Sequence, residues 1–410
     1  MDVLDVVESR GGQMSAQFQQ IIFKIAERCN LNCSYCYYFN ADDQSYRTKP
    51  AIVPPATITG LISYLQRVFD SDPATRVRLI FHGGEPLMIG ARRFDALCTR
   101  LRAHFPPGRL DFCIQTNAVL VTDAWIELFE RHQVDIGTSL DGPAALNDVF
   151  RTDHRNRGSY DAARRGIDLL LQASQAGRLK PISCLVVMQP EFSGRAVYRH
   201  LVDEVGFRQL DFLFPDVTHA TFTGDAKAYG RYLIEVLDAW LTDDDPTIDI
   251  RMLKSVLAVL LGGRSELAGF GADQPNAFTI RADGAVELDD VMRAAGLAQI
   301  ETGLDIAELA ADGVARLPAL TRMNAQFSQL PEACQPCPFA TSCRGGQIAH
   351  RFHPETGLAN SSVFCAALFD LFGHAAARLI ENGVPLEHLP GLTRPPMAAL
   401  EAFSRMAGAA

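Results

Sequence analysis

The segment Cys29-Asn30-Leu31-Asn32-Cys33-Ser34-Tyr35-Cys36 places three thiols on one short stretch of chain. Cys thiolates carry iron–sulfur clusters, and three of them can hold three irons of a cubane. With no fourth cysteine nearby, one iron keeps an open position. An open iron suits an enzyme that binds a substrate atom, whereas an electron-transfer centre is normally closed. A zinc site is the alternative, but it calls for a fourth ligand, and no Cys or His lies between Tyr37 and His82.

A second group, Cys334, Cys337, Cys343 and Cys365, has enough thiols to saturate a cubane. Structural zinc on four cysteines fits the spacing of the first pair as well. Cys98, Cys113 and Cys184 stand apart in apolar stretches and are expected to act as small core hydrophobes.

Composition narrows the class. A net charge of −10 argues against a nucleic-acid partner, which needs a basic surface, and leaves a peptide partner open. The 48% hydrophobic and 21% charged fractions over 410 residues are those of a globular chain of one large domain with an appendage, or of two domains. No apolar run approaches the ~18 residues of a membrane helix. Met1 to Gln20 contain no apolar signal region, so a cytoplasmic location is expected. Ten cysteines in a cytoplasmic chain point to metal or catalysis rather than disulfides.

The elements that must position these residues alternate. Candidate strands are 20–25, 78–82, 110–115, 135–139, 182–187 and 211–214, separated by amphipathic helical stretches. Six β–α units in succession predict a parallel sheet with right-handed crossovers. The expected fold is α/β, a partial (β/α)6 barrel of the TIM type, with the site at the C-terminal ends of the strands. Cys29 follows the first expected strand, His82–Pro86 the second, Gln115–Asn117 the third and Ser139–Gly142 the fourth. Helices over 227–241 and 251–261 and a hairpin over 278–288 turning at Asp283-Gly284 are expected to follow. The organisation expected is an arm at 1–19, a barrel at 20–245, a bridging region at 246–329, and a cysteine-rich domain with a helical tail at 330–410.

Cys-x3-Cys-x-aromatic-Cys after a first strand resembles the signature of the radical S-adenosylmethionine (SAM) superfamily. The resemblance implies a [4Fe–4S] cluster on Cys29, Cys33 and Cys36, with SAM on the open iron and Tyr35 near the adenine. Gly83-Gly84-Glu85-Pro86 resembles the GGEP strand end that receives the methionine ammonium, with glycines that let main chain approach closely. Gln115-Thr116-Asn117 resembles the QTN strand end, and Ser139-Leu140-Asp141-Gly142 the SLDG turn. Arg151 matches an arginine that pairs with the SAM carboxylate. Each motif alone is weak; together, in this order after successive strands, they are specific.

The second cysteine group resembles the SPASM extension of peptide-modifying radical SAM enzymes, which implies an auxiliary [4Fe–4S] cluster on Cys334, Cys337, Cys343 and Cys365. Two positions depart from that pattern: Asp289 and Gln347 stand where ligands of a further, proximal cluster would be. Two clusters are therefore expected. Asp290 matches an aspartate proposed as a base in such enzymes, although a solvated acidic turn would read the same.

Longer stretches, among them 211–215, 260–263, 347–352 and 360–365, resemble the maturases of the Xye and Fxs type, which form cyclophanes on ribosomal peptides. That resemblance implies a precursor peptide as substrate, a flavodoxin- or ferredoxin-type electron donor, and a carbon–carbon bond between an aromatic ring and a nearby residue. Other SPASM-type modifications, such as thioether formation, epimerisation or sulfatase maturation, are the rival readings, with a non-catalytic scaffold as a third.

Overall fold

A computed structural model describes residues 18–271 and 277–392. Most of the expected N-terminal arm and the end of the Pro-rich tail lie outside the described residues.

Strand β1 (Phe18–Ala26) begins the sheet, and β2 (Arg76–Gly83), β3 (Leu110–Thr116), β4 (Val134–Ser139), β5 (Ser183–Val187) and β6 (Gln209–Leu213) follow it in sequence and in space. All pair in parallel. The connections carry helices such as Pro55–Ser71, Ala91–Arg102, Asp123–His132 and Tyr160–Gln175. Parallel neighbours need a crossover of that size, which is why the 3.6-residue periodicity between the apolar runs was informative. The α/β partial barrel expected from the sequence is the fold observed.

The stretch read as a bridging region adds strands to the same sheet. β7 (Asp249–Ile250) extends the β6 edge, while β8 (Ala277–Ile280) lies parallel to β1 on the other side. β9 (Ala285–Glu287) and β10 (Glu301–Asp305) continue antiparallel, giving the order β10-β9-β8-β1-β2-β3-β4-β5-β6-β7.

Burial alternates along the central strands. Leu79 and Phe81 of β2, Phe112 and Ile114 of β3, and Val134 and Ile136 of β4 are buried with the helices. Their neighbours Arg78, His82, Cys113, Gln115 and Ser139 are half-buried. A period of two thus separates a packed face from a polar, incompletely filled one, and the polar face carries the motif residues. Cys98 and Cys184 are core residues as expected, whereas Cys113 is on the half-buried face.

After the sheet come a helix at Pro318–Ser328, two single-turn helices at Ala340–Cys343 and Ile348–Arg351, and a long helix at Cys365–Glu381. Arg351 staples this turn-rich region. Its fully buried guanidinium donates to the carbonyls of Phe327 and Gln329 at 2.9 Å and of Leu358 at 2.7 Å. No helix among the described residues is long and apolar enough to cross a membrane.

Candidate iron–sulfur and cofactor site

The chain leaves β1 at Ala26 and enters the cysteine loop, which is held from outside by the turn after the helix Ala144–Phe150. Asn32 N donates to Thr152 O at 2.7 Å and Ser34 N to Phe150 O at 2.9 Å. A His154 ring nitrogen lies 2.9 Å from Cys29 O. All three thiols are half-buried, and burial is the main cause raising the pKa of each. Thiolates in so dry a loop need a cation to stay ionised, which a cluster supplies. Among the described residues no group of Cys, His, Asp or Glu is gathered closely enough to hold a single metal ion. Three thiols on one loop are the donor set of an iron–sulfur cluster with one iron left open.

The Gly-Gly-Glu turn after β2 packs on this loop. Gly84 N donates to Ala26 O and Glu85 N to Arg28 O, both at 2.9 Å. A Cβ on Gly83 would meet Ala26 O at 1.9 Å, and one on Gly84 would meet Arg28 O at 2.6 Å. The close main-chain approach that these glycines permit is therefore to the segment leading into Cys29.

Glu85 is 1% exposed, and its carboxylate accepts from Leu87 N at 3.0 Å, Thr116 Oγ1 at 2.7 Å and Asn117 N at 2.8 Å. It thus ties the end of β2 to the end of β3. Burial raises its pKa to about 6 although these hydrogen bonds oppose the shift. Pro86 opens the short 3-10 helix Pro86–Ile89 that Glu85 caps. Asn117 turns back to the cysteine loop, donating to Asn30 Oδ1 at 2.8 Å and lying 3.8 Å from Cys29 Sγ.

Gln115 and Ser139 meet on the half-buried face, Gln115 Nε2 donating to Ser139 Oγ at 3.0 Å. Tyr35, Asp141 and Arg151 form one unit. The tyrosine hydroxyl donates to Asp141 Oδ2 at 2.5 Å and accepts from Arg151 Nη1 at 2.8 Å. Asp141 also accepts from Val187 N at 3.1 Å, linking the turn after β4 to the end of β5. The motifs after β1 to β4 thus converge on one mouth of the barrel.

Asp290 is not a solvated turn residue. It is buried, with Lys24 Nζ at 2.8 Å from Oδ1, the Tyr37 hydroxyl donating to Oδ2 at 2.6 Å, and Arg293 Nε at 3.5 Å. Burial pushes its carboxyl up, but Lys24 and then Arg293 outweigh that and hold it well below the usual carboxylate range. His82 has a lowered pKa, through burial first and Lys24 second.

At this mouth Asp216 and Lys24 escaped sequence reasoning, which read Asp289 only as a missing cluster ligand. Asp216, just beyond β6, is raised to about 7 by burial and then by the charges of Asp290 and Asp289. Asp289 is raised to about 6 by burial, against a hydrogen bond from Val291 N at 3.2 Å. The Phe214-Pro215-Asp216 run at a strand end was the one available signal for Asp216. Lys24 lies inside an apolar strand, and nothing in its spacing marks it.

The four C-terminal cysteines line one cavity, with Phe339, Leu368 and Phe369 among its walls. Cys334 is buried, Cys337 and Cys343 are half-buried and Cys365 is exposed. Cys334 is pushed up to about 11 by burial and then by the neighbouring Cys365 and Cys337. A largely apolar cavity lined by four cysteines has the donor set of a closed cluster. Gln347 precedes the turn Ile348–Arg351 and Asp289 caps the 3-10 turn Asp290–Ala295, so neither supplies a thiolate.

Comparison with known proteins agrees with this layout. Residues 23–191 match the model of the Radical SAM superfamily, the domain of enzymes that work with SAM and [4Fe–4S] clusters. The serine-type anaerobic sulfatase-maturating enzyme of Klebsiella aerogenes is 32% identical over 234 residues, 54% of each chain. The chain thus spans about half the length of that relative. The cysteine-type enzyme of Clostridium perfringens is 23% identical over 367 residues, 86% of this chain and 94% of the relative. The solved structure of native anSMEcpe with bound AdoMet superposes with a TM-score of 0.76 at 22% identity, covering 89% of this chain and 100% of the other. A further structure of that protein, with AdoMet and the Kp18Cys peptide, gives 0.76 at 21% identity, covering 90% and 100%. At this identity the likeness establishes the fold.

Proposed function

We propose that this chain is a radical SAM maturase that oxidises a side chain of a ribosomally made precursor peptide and joins it to a nearby aromatic ring. The observation that carries the radical SAM part is the convergence of Cys29, Cys33, Cys36, Glu85, Gln115, Asn117, Ser139, Asp141 and Arg151 at the C-terminal ends of β1 to β4. The sulfatase-maturating relatives, and the solved neighbour that holds the Kp18Cys peptide, favour a peptide substrate.

Cys29, Cys33 and Cys36 would hold a [4Fe–4S] cluster with SAM on its open iron, which would supply one-electron chemistry for removing a hydrogen atom from a substrate carbon. The chain's own residues place and shield that event. Tyr35 and Asp141 orient Arg151, whose fork suits a carboxylate. Glu85 locks the ends of β2 and β3; its Oε1 accepts two hydrogen bonds and its Oε2 one, so Oε2 has a lone pair left for a further donor such as an ammonium. Gln115 and Ser139 line the polar face between them. Asp290 is the candidate acceptor of the ring proton and must come within hydrogen-bond reach of it. Four thiols at Cys334, Cys337, Cys343 and Cys365 would hold an auxiliary [4Fe–4S] cluster to receive the remaining electron, and an external flavodoxin or ferredoxin would supply electrons to the first cluster.

Crosslinking is favoured over sulfatase maturation by Asp289 and Gln347, which leave the region with one set of auxiliary thiols. The relatives, which are named for serine-type and cysteine-type sulfatase maturation, favour the second reading. Anaerobic incubation of reconstituted protein with SAM, reductant and the peptide encoded beside its gene separates them. Crosslinking gives loss of two hydrogens and a ring segment that resists fragmentation; a change confined to one serine or cysteine, with the peptide fragmenting along its whole length, supports maturation instead. A wild-type protein that makes no 5′-deoxyadenosine under reductant defeats both.

A further inference from the structure

We propose that the β8–β9 hairpin and the turn after it clamp the cysteine loop in place, with Arg281 and Arg293 as the positioning residues. The proposal rests on the reading that Cys29, Cys33 and Cys36 hold a cluster.

β8 runs parallel to β1, Gln20 beside Ala277 through Phe23 beside Ile280, and β1 continues past that last pair to Ala26. Arg281 is the first residue after β8, and its side chain meets Glu27, the first residue after β1. Its buried guanidinium donates through Nε to Glu27 Oε1 at 2.9 Å and through Nη2 to Glu27 Oε2 at 3.2 Å. Ala282 N adds a third donor to Oε1 at 3.1 Å, and Arg281 Nη1 reaches Glu287 at 3.0 Å. The Tyr38 hydroxyl donates to the same Glu27 carboxylate. Glu27 stands just before Cys29 and Tyr38 just after Cys36, so one carboxylate, gripped by Arg281, gathers both ends of the loop.

The second grip is on Tyr37. Its hydroxyl is on Asp290, which Lys24 and Arg293 flank. Arg293 also pairs with Asp43, farther along the same loop, and with Glu287. Lys24 Nζ sits 3.6 Å from the centre of the Tyr38 ring. Adjacent tyrosines after Cys36 are thereby pinned to opposite carboxylates, both held by residues of the hairpin segment.

The partners are far apart in sequence: 254 residues separate Arg281 from Glu27. Arg281 and Arg293 also lie outside the stretch that matches the superfamily model. A buried charge that loses its partner is strongly disfavoured, and a guanidinium fork fixes direction as an ammonium does not. The clamp therefore sets where the cysteine loop sits, rather than only adding cohesion.

The test uses full-length Arg281→Met, Arg281→Lys and Arg293→Met proteins, iron-free and after anaerobic reconstitution. Hydrogen exchange of residues 27–46 in iron-free Arg281→Met is expected to accelerate on the order of tenfold, with β3 to β5 protected as in the wild type. Iron per chain should fall, and the change that SAM causes in the EPR spectrum of the reduced cluster should be lost. Arg281→Lys should lie between. Wild-type exchange and iron uptake in both Arg281→Met and Arg293→Met would overturn the clamp, as would acceleration spread evenly over β3 to β5. Where Arg281→Met does not fold, Arg281→Lys and Arg293→Met decide by the same measurements. Wild-type protein that takes up no iron would defeat the cluster reading, while exchange in the iron-free chains would still judge the clamp.

Discussion

Tyr35 bridges Asp141 and Arg151, donating to the carboxylate at 2.5 Å and accepting from the guanidinium at 2.8 Å, while the direct Arg151–Asp141 distance is 3.9 Å. The tyrosine hydroxyl is therefore the joint through which the turn after β4 orients the arginine. Tyr35→Phe keeps the ring and removes the joint. A hydrogen bond to a charged group contributes about 1.5–3 kcal/mol, so SAM binding should weaken roughly tenfold or more. Iron content should stay unchanged. Equilibrium binding of SAM to the reconstituted variant checks this, and wild-type affinity would show that Arg151 needs no such guide.

Gly84→Ala tests the contact between the Gly-Gly-Glu turn and the cysteine loop. Its Cβ would meet Arg28 O and the Phe39 ring at 2.6 Å. Overpacking of this kind costs about 1–3 kcal/mol, and here the backbone that must shift carries Cys29. Lower thermal stability should come with poorer iron uptake. Gly90→Ala is the comparison: its φ is +81° but a Cβ meets nothing within 4 Å. That variant should lose about 1–3 kcal/mol through backbone strain alone and take up iron normally.

Asp216 makes stability depend on pH. Its folded pKa is raised to about 7, so below pH ~4 both states keep the proton and the group contributes nothing. Between about pH 4 and 7 the unfolded chain releases the proton while the folded one holds it, so stability falls as pH rises. Asp216→Asn removes that loss. Urea unfolding of iron-free protein should show the variant more stable by about 1–4 kcal/mol at pH 8 and little changed at pH 4.5. An equal shift at both pH values would mean that Asp216 is not held protonated.

Asp290→Asn leaves Lys24 buried without its anion. Breaking such a pair costs about 3–5 kcal/mol, and Lys24→Met with Asp290→Leu should recover much of that. In the peptide assay Asp290→Asn is expected to lose product while still cleaving SAM. Product at the wild-type rate would remove Asp290 from the role of base.

Cys343→Ala should lower iron from about eight to about four per chain. SAM cleavage without product should persist, whereas Cys33→Ala should abolish cleavage. About four iron per chain in the wild type as well as in Cys343→Ala would show that the C-terminal cavity holds no cluster.

The positions of the chemistry were readable from residue order alone. Parallel strands must be linked by helices, and their C-terminal ends must lie together, so Cys29, Glu85, Asn117 and Asp141 could be placed at one mouth by counting elements. Thiols at close spacing have few uses, which made Cys29, Cys33 and Cys36 legible, and Cys334 with Cys337 nearly so.

Contacts between distant segments were decided only by the tertiary structure. No local pattern could show that Arg281 would meet Glu27, that Lys24 would be buried against Asp290, or that Asp216 would face two other carboxylates. An ion pair carries no periodicity along the chain. Its strength comes from the burial that folding imposes, so the charges that set this site are visible only once β8 has been laid beside β1.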